Sequence, residues 1–510
     1  MYSYQIYLAV FNLRGNQRTS GELARREGGK IFGSGSRTPI SITILVRKPN
    51  HTGNGAIHYE AVADYLSRDE KLALVSDRGS VLSDKMHLSS IAPNEVGDWI
   101  NQRDGLFETF IPLAPYKKYN ETAQSVFSVN SRGLETSRDS IAYSSSRSEL
   151  DKNIHEMISR YNKQREAFHS LDNANKNLAS FIHDELARIV WTRGTKRNCA
   201  NNVVYLFSES SVRIGLYRPF FKQYVYVSSQ ANEYVNHWMR FFPTPQSKNL
   251  VICIPGIGTK KGFMPLIVDT IPDVQLQFNG QCFPMFYYER NARDVLSLFD
   301  QGREEYIRRD AITDFILLRA REEYGPHTTK EDVFYYVYGI LHAKEYRERF
   351  AADIQKSLAR LPLVESVKDF KAFVKAGRQL ADLHLNYETG PFCAQLIITG
   401  NNLGNLRVTK MRFPSKDDKG TILFNETIKI ENIPMAAYDY VVNGKSAVEW
   451  VMERYAVTQN ADSGIVNDPN AWSDNPRYIL DLLNRVIQMS VETQKIVAGL
   501  PRLDFSPQRA

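Results

Sequence analysis

The stretch GGKIFGSGSRTPISITILVRKP, residues 28–49, places four glycines within eight residues and then continues directly into an apolar segment. That segment, residues 39–47, predicts a strand, as do residues 4–13 (YQIYLAVFNL) and 56–62 (AIHYEAV). We expect SITILV to be buried on both faces of a sheet, as in α/β proteins, because it is almost wholly apolar. Ser67 is expected to cap a short helix over residues 67–76. Residues 1–115 therefore predict the end of an α/β domain, with too few strands for a whole one.

The composition is typical of a soluble globular protein, with 43% hydrophobic and 24% charged residues in a chain of 510. This length predicts roughly two to four domains. There is no run of about 18 apolar residues, so we expect no membrane-spanning helix. The beginning, MYSYQIYLAVFNLRGN, lacks a basic region and a cleavage site, so it does not predict a secretion signal. The four cysteines form no Cys-x-x-Cys pair, which predicts a cytoplasmic protein without a disulfide scaffold or a structural zinc site.

The basic residues are concentrated in two segments, although the net charge of +7 only permits nucleic-acid binding. Residues 14–37 carry six basic and two acidic residues, and residues 189–222 carry six basic residues and one acid, Glu209. The second segment also contains Trp191 and five other aromatic residues. Cations beside aromatic rings suit phosphates and exposed base faces. The alternative is two solvated basic faces with ordinary core aromatics.

Motifs for phosphate binding, nucleophilic catalysis and metal binding are not met. Neither GSGSRT (33–38) nor GIGTKKG (256–262) fits the phosphate-loop pattern, and the second is expected to be a structural turn. No nucleophile elbow surrounds Ser34 or Ser36. His51 and His58 lack a third ligand, so we expect no metal site. The sequence predicts no complete catalytic set.

Changes in periodicity predict a mixed α/β and α+β protein, with a partial α/β sheet followed by a β-rich module wrapped by helices. The segment FYYVYGIL (334–341) is apolar all round and predicts a core helix. The expected regions are a partial sheet over 1–115, a linker and helical region over 116–187, a β-rich module over 188–290, a helical region over 291–392, and strands and helices over 393–510.

Long stretches of the chain resemble a known family. FNLRGNQRTSGELARREGGKIFGSGSRTPISITILVRKP resembles the second half of an adenine-specific DNA methyltransferase of the Type ISP single-polypeptide restriction-modification enzymes. NLVICIPGIG, DVFYYVYGILHAKEYRERF and SGIVNDPNAWSDNPRYILDLL are similar to the C-terminal specificity region of that family. The resemblance covers essentially the whole chain.

The resemblance also implies what the chain lacks. The family's methyltransferase uses a Phe-x-Gly-x-Gly loop for S-adenosylmethionine and an Asn-Pro-Pro-Tyr segment for the target adenine, and neither string occurs here. We therefore expect no cofactor in this chain, with S-adenosylmethionine belonging to the complete enzyme. The implied partners are double-stranded DNA and an N-terminal methyltransferase, helicase and nuclease portion or subunit, with no membrane.

The resemblance implies sequence-specific DNA recognition by a chain that is inactive alone for methyl transfer. One alternative is half of a split methyltransferase that is active only with an N-terminal partner. Another is a non-enzymatic protein-binding module.

The resemblance assigns the glycine loop to the segment that closes over a flipped base, where Phe32 would stack on the adenine and Arg37 would meet a phosphate. The alternative for Phe32 is that it only plugs the sheet edge.

In the specificity region, arginine reading guanine and basic residues binding phosphates are the expected contacts. An alternative is that some of the strand residues Arg213, Arg218 and Lys222 point inward to structural partners. Trp191 could equally be a core anchor. The candidates are Arg132, Arg138, Trp191, Arg193, Lys196, Arg197, Arg213, Arg218, Lys222, Lys260 and Lys261.

Overall fold

The computed structural model describes residues 6–18, 21–33, 35–47, 55–115, 124–172, 177–182, 189–291, 305–400 and 404–505. The chain divides into two compact units. The first comprises Met1–Thr109, Gly258–Gly262 and Arg349–Ser357, and the second comprises Phe110–Ile257, Phe263–Glu348 and Leu358–Ala510.

The first unit is built on a four-stranded sheet in the order β2-β1-β3-β4. Strand β1 pairs with β2 in antiparallel and with β3 in parallel orientation. The three strands predicted from the sequence are therefore present. The strands are β1 (Ile6–Arg14), β2 (Ile40–Arg47), β3 (Ala56–Ala61) and β4 (Ser89–Ile91).

The predicted helix after Ser67 is confirmed. Helix α1 spans Gly21–Glu27, and α2 spans Arg68–Arg78. The Ser67 side chain accepts a hydrogen bond from the Glu70 amide, and the Glu70 carboxylate accepts one from the Ser67 amide. This reciprocal capping satisfies amide donors that the first helical turn leaves without partners.

Strand β2 departs from the expectation of burial on both faces. Its side chains over residues 41–46 are exposed, and that of Leu45 retains 64% of its accessible surface. The strand lies at the edge of the sheet, and no described strand pairs with its outer edge. Successive side chains of a strand point to opposite faces, so the exposure of residues 41–46 leaves both faces of β2 uncovered in the described structure, and the expectation is wrong.

The second unit contains two four-stranded sheets, in the orders β11-β10-β13-β6 and β12-β8-β9-β7, together with smaller sheets. Most of its strands are short, as expected for the β-rich module. They are β5 (Ile111–Pro112), β6 (Ser131–Arg132), β7 (Tyr143–Ser144), β8 (Val212–Arg218), β9 (Phe221–Tyr226), β10 (Val251–Ile254), β11 (Leu266–Val268), β12 (Ile271–Pro272), β13 (Gln281–Pro284), β14 (Phe286–Arg290), β15 (Tyr306–Asp310), β16 (Arg360–Leu361), β17 (Ile397–Gly400), β18 (Ile422–Leu423), β19 (Ile428–Glu431), β20 (Val441–Val442), β21 (Lys445–Ser446), β22 (Thr458–Gln459) and β23 (Val466–Asn467).

Helices surround these sheets, so the mixed α/β and α+β class is confirmed. The predicted core helix FYYVYGIL lies in α9 and packs on α12, where a Cβ at Gly377 would lie 1.9 Å from the Tyr335 carbonyl oxygen. The remaining helices are α3 (Asp139–Ala142), α4 (Arg147–His169), α5 (Leu178–Phe181), α6 (Arg193–Ala200), α7 (Trp238–Phe241), α8 (Asp314–Tyr324), α9 (Lys330–His342), α10 (Lys344–Arg349), α11 (Ala351–Lys356), α12 (Val367–Leu385), α13 (Ala447–Arg454) and α14 (Tyr478–Ala498).

Part of the expected linker over 116–187 is core structure instead. Residues 125–127 and most of 131–145 are buried. Strand β6 pairs with β13, and β7 pairs with β9. The polar composition of this segment misled the prediction, because its backbone completes sheets whose other strands come from distant sequence. The boundaries expected for the other regions, at residues 115, 188, 290 and 392, remain predictions.

Candidate nucleic-acid interface

Helix α6 presents three basic side chains on one exposed face. Arg193, Lys196 and Arg197 are spaced at i, i+3 and i+4, which places them side by side on a helix. All three are exposed, whereas Thr195 and Cys199 on the opposite face are buried. None of the three has an ion-pair partner in the part of the chain that the structure describes. The face is therefore a compact cationic surface.

The beginning of α6 is fixed by a buried arginine. Arg138 donates from Nη2 to the Val190 carbonyl oxygen at 3.0 Å and from Nη1 to the Ala231 carbonyl oxygen at 2.5 Å. The Thr192 side chain accepts from the Thr195 amide and caps the helix. Burial lowers the pKa of Arg138. The prediction of Arg138 as a surface contact is corrected, because only 4% of the residue is exposed and its guanidinium binds protein groups.

The basic residues of β8 and β9 also point to protein partners. Arg213 is buried and donates to the Pro243 carbonyl oxygen at 3.1 Å. Arg218 donates to the Asp273 carboxylate at 2.7 Å, and Lys222 pairs with Glu388. These contacts match the alternative of inward structural partners rather than surface contacts, because the sheet directs these side chains toward buried or half-buried carboxylates and carbonyls.

Trp191 lies half-buried beside α6. Its ring centroid is 6.1 Å from that of Tyr161, within a small core that includes Phe168 and Tyr205. The core-anchor alternative therefore describes its packing better than an exposed stacking surface.

A polar depression opens next to Arg132 and encloses about 190 Å³. Arg132 is exposed, and its Nη2 lies 3.4 Å from Asn279 Oδ1 and 3.6 Å from a Glu135 carboxylate oxygen. We call it the Arg132 depression; the lining residues that matter below are Arg132, Glu135, Asp139, Asp273, Gln275 and Asn279.

The floor of the Arg132 depression is a buried charge network. Asp273 accepts from Arg218, and Arg218 lies 3.5 Å from Asp139. Burial raises the pKa of Asp273 to about 7, although the Arg218 cation acts in the opposite direction. The sequence analysis missed Asp273, Gln275 and Asn279, which lie within DVQLQFNG, residues 273–280. A possible signal was the run of polar residues spaced through an otherwise apolar segment.

Lys260 and Lys261 lie in the short segment Gly258–Gly262, which groups with the first unit. Lys260 is exposed and Lys261 is half-buried. The predicted turn is present, since Gly258 and Gly262 both have positive φ angles, of 86° and 81°.

The glycine loop of the opening stretch lies between α1 and β2 in the first unit. Phe32 is 58% exposed and Arg37 is exposed, so Phe32 does not plug the sheet. Buried Lys71 donates to the carbonyl oxygens of Glu27 at 2.6 Å and Gly29 at 2.8 Å, which fixes the beginning of the loop.

The glycines do not form a cradle that fits a methyl donor. A Cβ at Gly28 would lie 2.1 Å from the Leu66 carbonyl oxygen, and one at Gly29 would lie 2.3 Å from the Arg68 amide. These two glycines are therefore required by close contact with the chain's own backbone. Gly35 is open, with a φ of 77°. The loop also leads from a helix into a strand, the reverse of a strand-to-helix cofactor turn.

Within the described ranges, no group of three His, Cys, Asp or Glu side chains could bind a metal ion. In the same part of the chain, no helix has the length and apolarity needed to span a bilayer.

Comparison with known proteins returned one family and several solved structures. The Type ISP C-terminal specificity domain matches residues 125–482, and no curated protein sequence matches. A nuclease-deletion mutant of the Type ISP restriction-modification enzyme LlaGI, in complex with a DNA substrate mimic, is 38% identical with a TM-score of 0.85. DNA-bound LlaBIII, an ATP-dependent Type ISP restriction-modification enzyme, is 33% identical with a TM-score of 0.84, and DrdV in a DNA complex is 26% identical with 0.81.

Each match covers 98% of this chain, but only 44%, 31% and 48% of LlaGI, LlaBIII and DrdV, respectively. The chain therefore spans less than half the length of each of these structures.

Proposed function

Because this chain belongs to the Type ISP restriction-modification family, we propose that it recognises duplex DNA as the specificity part of such an enzyme. The observation that carries the proposal is the cationic face of α6, which lies inside the region matched to the specificity domain. The DNA complexes of LlaGI, LlaBIII and DrdV support the same conclusion.

The charge arrangement of α6 favours an anionic partner. Arg193 and Arg197 are like charges one helical turn apart, which destabilises an isolated helix by about 0.2–0.5 kcal/mol. A row of phosphates offsets this repulsion, and each neutralised phosphate releases condensed counterions. We assign the α6 face to phosphate contacts, because its basic side chains are long and exposed and form no ion pair with the described residues that would fix them in one geometry.

The test is binding of the full chain to duplex DNA over a range of salt concentrations. We expect sequence-preferring binding whose affinity falls steeply as salt rises, since contacts to several phosphates give a steep logarithmic slope. Absence of duplex binding at low salt would contradict the proposal and favour a protein-binding module.

The exposed edge of β2 favours a second candidate function, in which the chain completes a methyltransferase together with an N-terminal polypeptide. On the eight-residue edge strand β2, Ile42, Ile44 and Val46 share one face and Leu45 lies on the other, and all four are exposed. The other edge strand, β4, has only three residues, two of them serine. Long apolar edges are uncommon unless something covers them. The partner would supply S-adenosylmethionine, and exposed Phe32 would stack on the target adenine while Arg37 binds a phosphate.

Cysteine labelling tests this second function. The chain's own cysteines are buried, so a thiol introduced by Leu45→Cys would be uniquely accessible. We expect the N-terminal polypeptide of LlaGI to protect this thiol and to permit methyl transfer from S-adenosylmethionine. Leu82→Cys, at a position that is 84% exposed and outside the sheet, is the matched control and should stay reactive. Protection without methyl transfer would contradict the second function.

A further inference from the structure

The Arg132 depression combines side chains that are suited to base edges. Arginine donates to the O6 and N7 acceptors of guanine, and amide side chains pair with adenine. Here one arginine and two amides, those of Gln275 and Asn279, line the same opening. Side chains that only bind phosphate would not need this mixture of donors and acceptors.

We propose that the Arg132 depression discriminates between base pairs, with the Arg132 guanidinium donating to the major-groove edge of a guanine and the amides of Gln275 and Asn279 contacting the neighbouring base. This inference rests on the proposed function of duplex recognition. It adds that the two sites have different roles: α6 makes sequence-independent phosphate contacts, and the Arg132 depression recognises bases.

The side chains of the Arg132 depression make a few long contacts with one another and keep further donors and acceptors for a ligand. Both contacts of Arg132 use Nη2 and are long, at 3.4 and 3.6 Å, and Nε and Nη1 have no partner among the described residues. A two-pronged contact to guanine would pair Nη1 or Nε with Nη2, which exchanges one of these long contacts for a base acceptor. Asn279 Oδ1 accepts from Arg132 and from Gln275 Nε2, both at 3.4 Å. Asn279 Nδ2 is then left as a donor and Gln275 Oε1 as an acceptor in the described structure. A donor beside an acceptor complements the N7 and N6 groups of adenine.

The backbone beneath Arg132 is rigid. The buried Trp238 indole donates to the Arg132 carbonyl oxygen at 3.0 Å, and Arg132 pairs with Gln281 across β6 and β13. At the next position, a Cβ on Gly133 would lie 2.5 Å from the Val274 Cα. A fixed backbone lowers the entropy lost when a side chain is ordered on a base.

Hydrogen bonds connect the Arg132 depression to the start of α6 within the second unit. Glu135 exchanges two backbone hydrogen bonds with Tyr234, at 3.1 and 3.0 Å. The adjacent residue, Glu233, accepts from the Gly194 amide in the first turn of α6 at 3.2 Å. Because these bonds join the two sites, a duplex that contacts α6 through phosphates is expected to pass close to Arg132.

The Glu135 carboxylate makes Arg132 less suited to phosphate binding than the cations of α6. This carboxylate lies 3.6 Å from Arg132 and weakens the attraction of that arginine for phosphate. The Glu233 carboxylate lies at the first turn of α6, where it accepts from the Gly194 amide, but it forms no described ion pair with the three cations of α6. Hydrogen bonds to a base edge depend on geometry as well as charge, so a nearby carboxylate interferes with them less and orients the guanidinium.

Selection from randomised duplexes by the full chain is the test. Arg132→Ala is expected to reduce the preference for guanine at one position by about ten- to a hundredfold, since a bidentate arginine contributes discrimination of that order. The salt dependence should change by no more than about one phosphate contact. Arg132→Lys is expected to recover overall affinity but not the preference, because an ammonium cannot make the same two-pronged contact.

The two proposals fail in different ways. If the unaltered chain shows no sequence preference, duplex recognition itself fails and this inference with it. If the unaltered chain has a preference that Arg132→Ala retains, or if Arg132→Ala weakens all sequences equally and flattens the salt dependence, only the assignment of base reading to the Arg132 depression is overturned. An unchanged thermal unfolding profile of Arg132→Ala confirms that the comparison concerns binding.

Discussion

Helix α6 and strand β8 carry similar basic residues in the same stretch of sequence, but in the structure these residues have opposite roles. Arg193 and Arg197 on α6 are exposed and have no described carboxylate partner. Arg213 and Arg218 on β8 bind a carbonyl and a carboxylate inside the second unit. The comparison teaches that a basic residue becomes a binding residue only where its element turns it toward solvent. The number of cations in a segment does not decide this.

Asp273, the buried partner of Arg218, predicts a strong dependence of the free energy of unfolding on pH. Its pKa is about 7 in the folded protein, against an ordinary value of 3.8. Between these values the folded protein retains a proton that the unfolded chain releases, so the free energy of unfolding falls as pH rises through the window. The difference corresponds to about 4 kcal/mol.

We expect Asp273→Asn to lose most of that slope, as measured by urea unfolding from about pH 4 to about pH 8. Parallel pH profiles for the two proteins would contradict the burial of an ionisable group at this position.

The next largest effect is expected from removing Arg138, the buried arginine beneath α6. Arg138→Ala leaves the Ala231 carbonyl oxygen without a described donor and removes the hydrogen bond to Thr195 Oγ1, whereas the Val190 carbonyl oxygen keeps the Thr192 amide as a donor. We expect a loss of about 3 kcal/mol in the free energy of unfolding. Denaturant titration measures this change. Stability equal to that of the unaltered protein would return Arg138 to the list of surface contacts.

The glycine loop provides a smaller test in the first unit. Lys71→Met leaves the Gly29 carbonyl oxygen without a described donor, whereas the Glu27 carbonyl oxygen keeps the Gly15 amide, and the change should cost about 2 kcal/mol of local stability. Hydrogen exchange of amides near residues 27–33 is expected to accelerate. The exposed Lys85→Met is the matched control and should leave exchange unchanged; equal effects of the two changes would contradict the role of Lys71.

The smallest effect on the free energy of unfolding is expected for exposed Arg193 on α6. Arg193→Ala removes repulsion with Arg197 and should change the free energy of unfolding by about 0.3 kcal/mol in the stabilising direction. Denaturant titration of this variant beside Arg138→Ala compares the two arginines directly. A loss above about 1 kcal/mol would mean that Arg193 has a structural partner.

Local signals in the sequence predicted local structure well. The capped helix at Ser67, three strands of the first sheet and the core helix in α9 follow from capping chemistry and periodicity over a few residues. The side-by-side placement of Arg193, Lys196 and Arg197 follows from their spacing once residues 193–200 are helical.

Features that depend on distant residues could not be predicted in the same way. Arg138 is buried because Ala231 and Val190 close over it, and Asp273 is buried with Arg218 from another sheet strand. The exposure of β2 contradicts its apolar sequence, since burial depends on neighbours that strand composition does not reveal. Whether a given side chain is buried or exposed to solvent depends on long-range packing, which residue type alone does not specify.

The most direct test of the central claim compares two sets of three exposed cations on helices of the same unit. In the first protein Arg193, Lys196 and Arg197 on α6 are changed to Ala; in the second, Lys368, Lys371 and Lys375 on α12 are changed to Ala. Both lose the same charge. We predict that the α6 variant loses affinity for all duplexes, with a salt slope smaller by about two to three, at about 0.9 per phosphate, whereas the α12 variant keeps the original slope. Equal slopes in the two variants would contradict the account, because net charge rather than the α6 face would then govern binding.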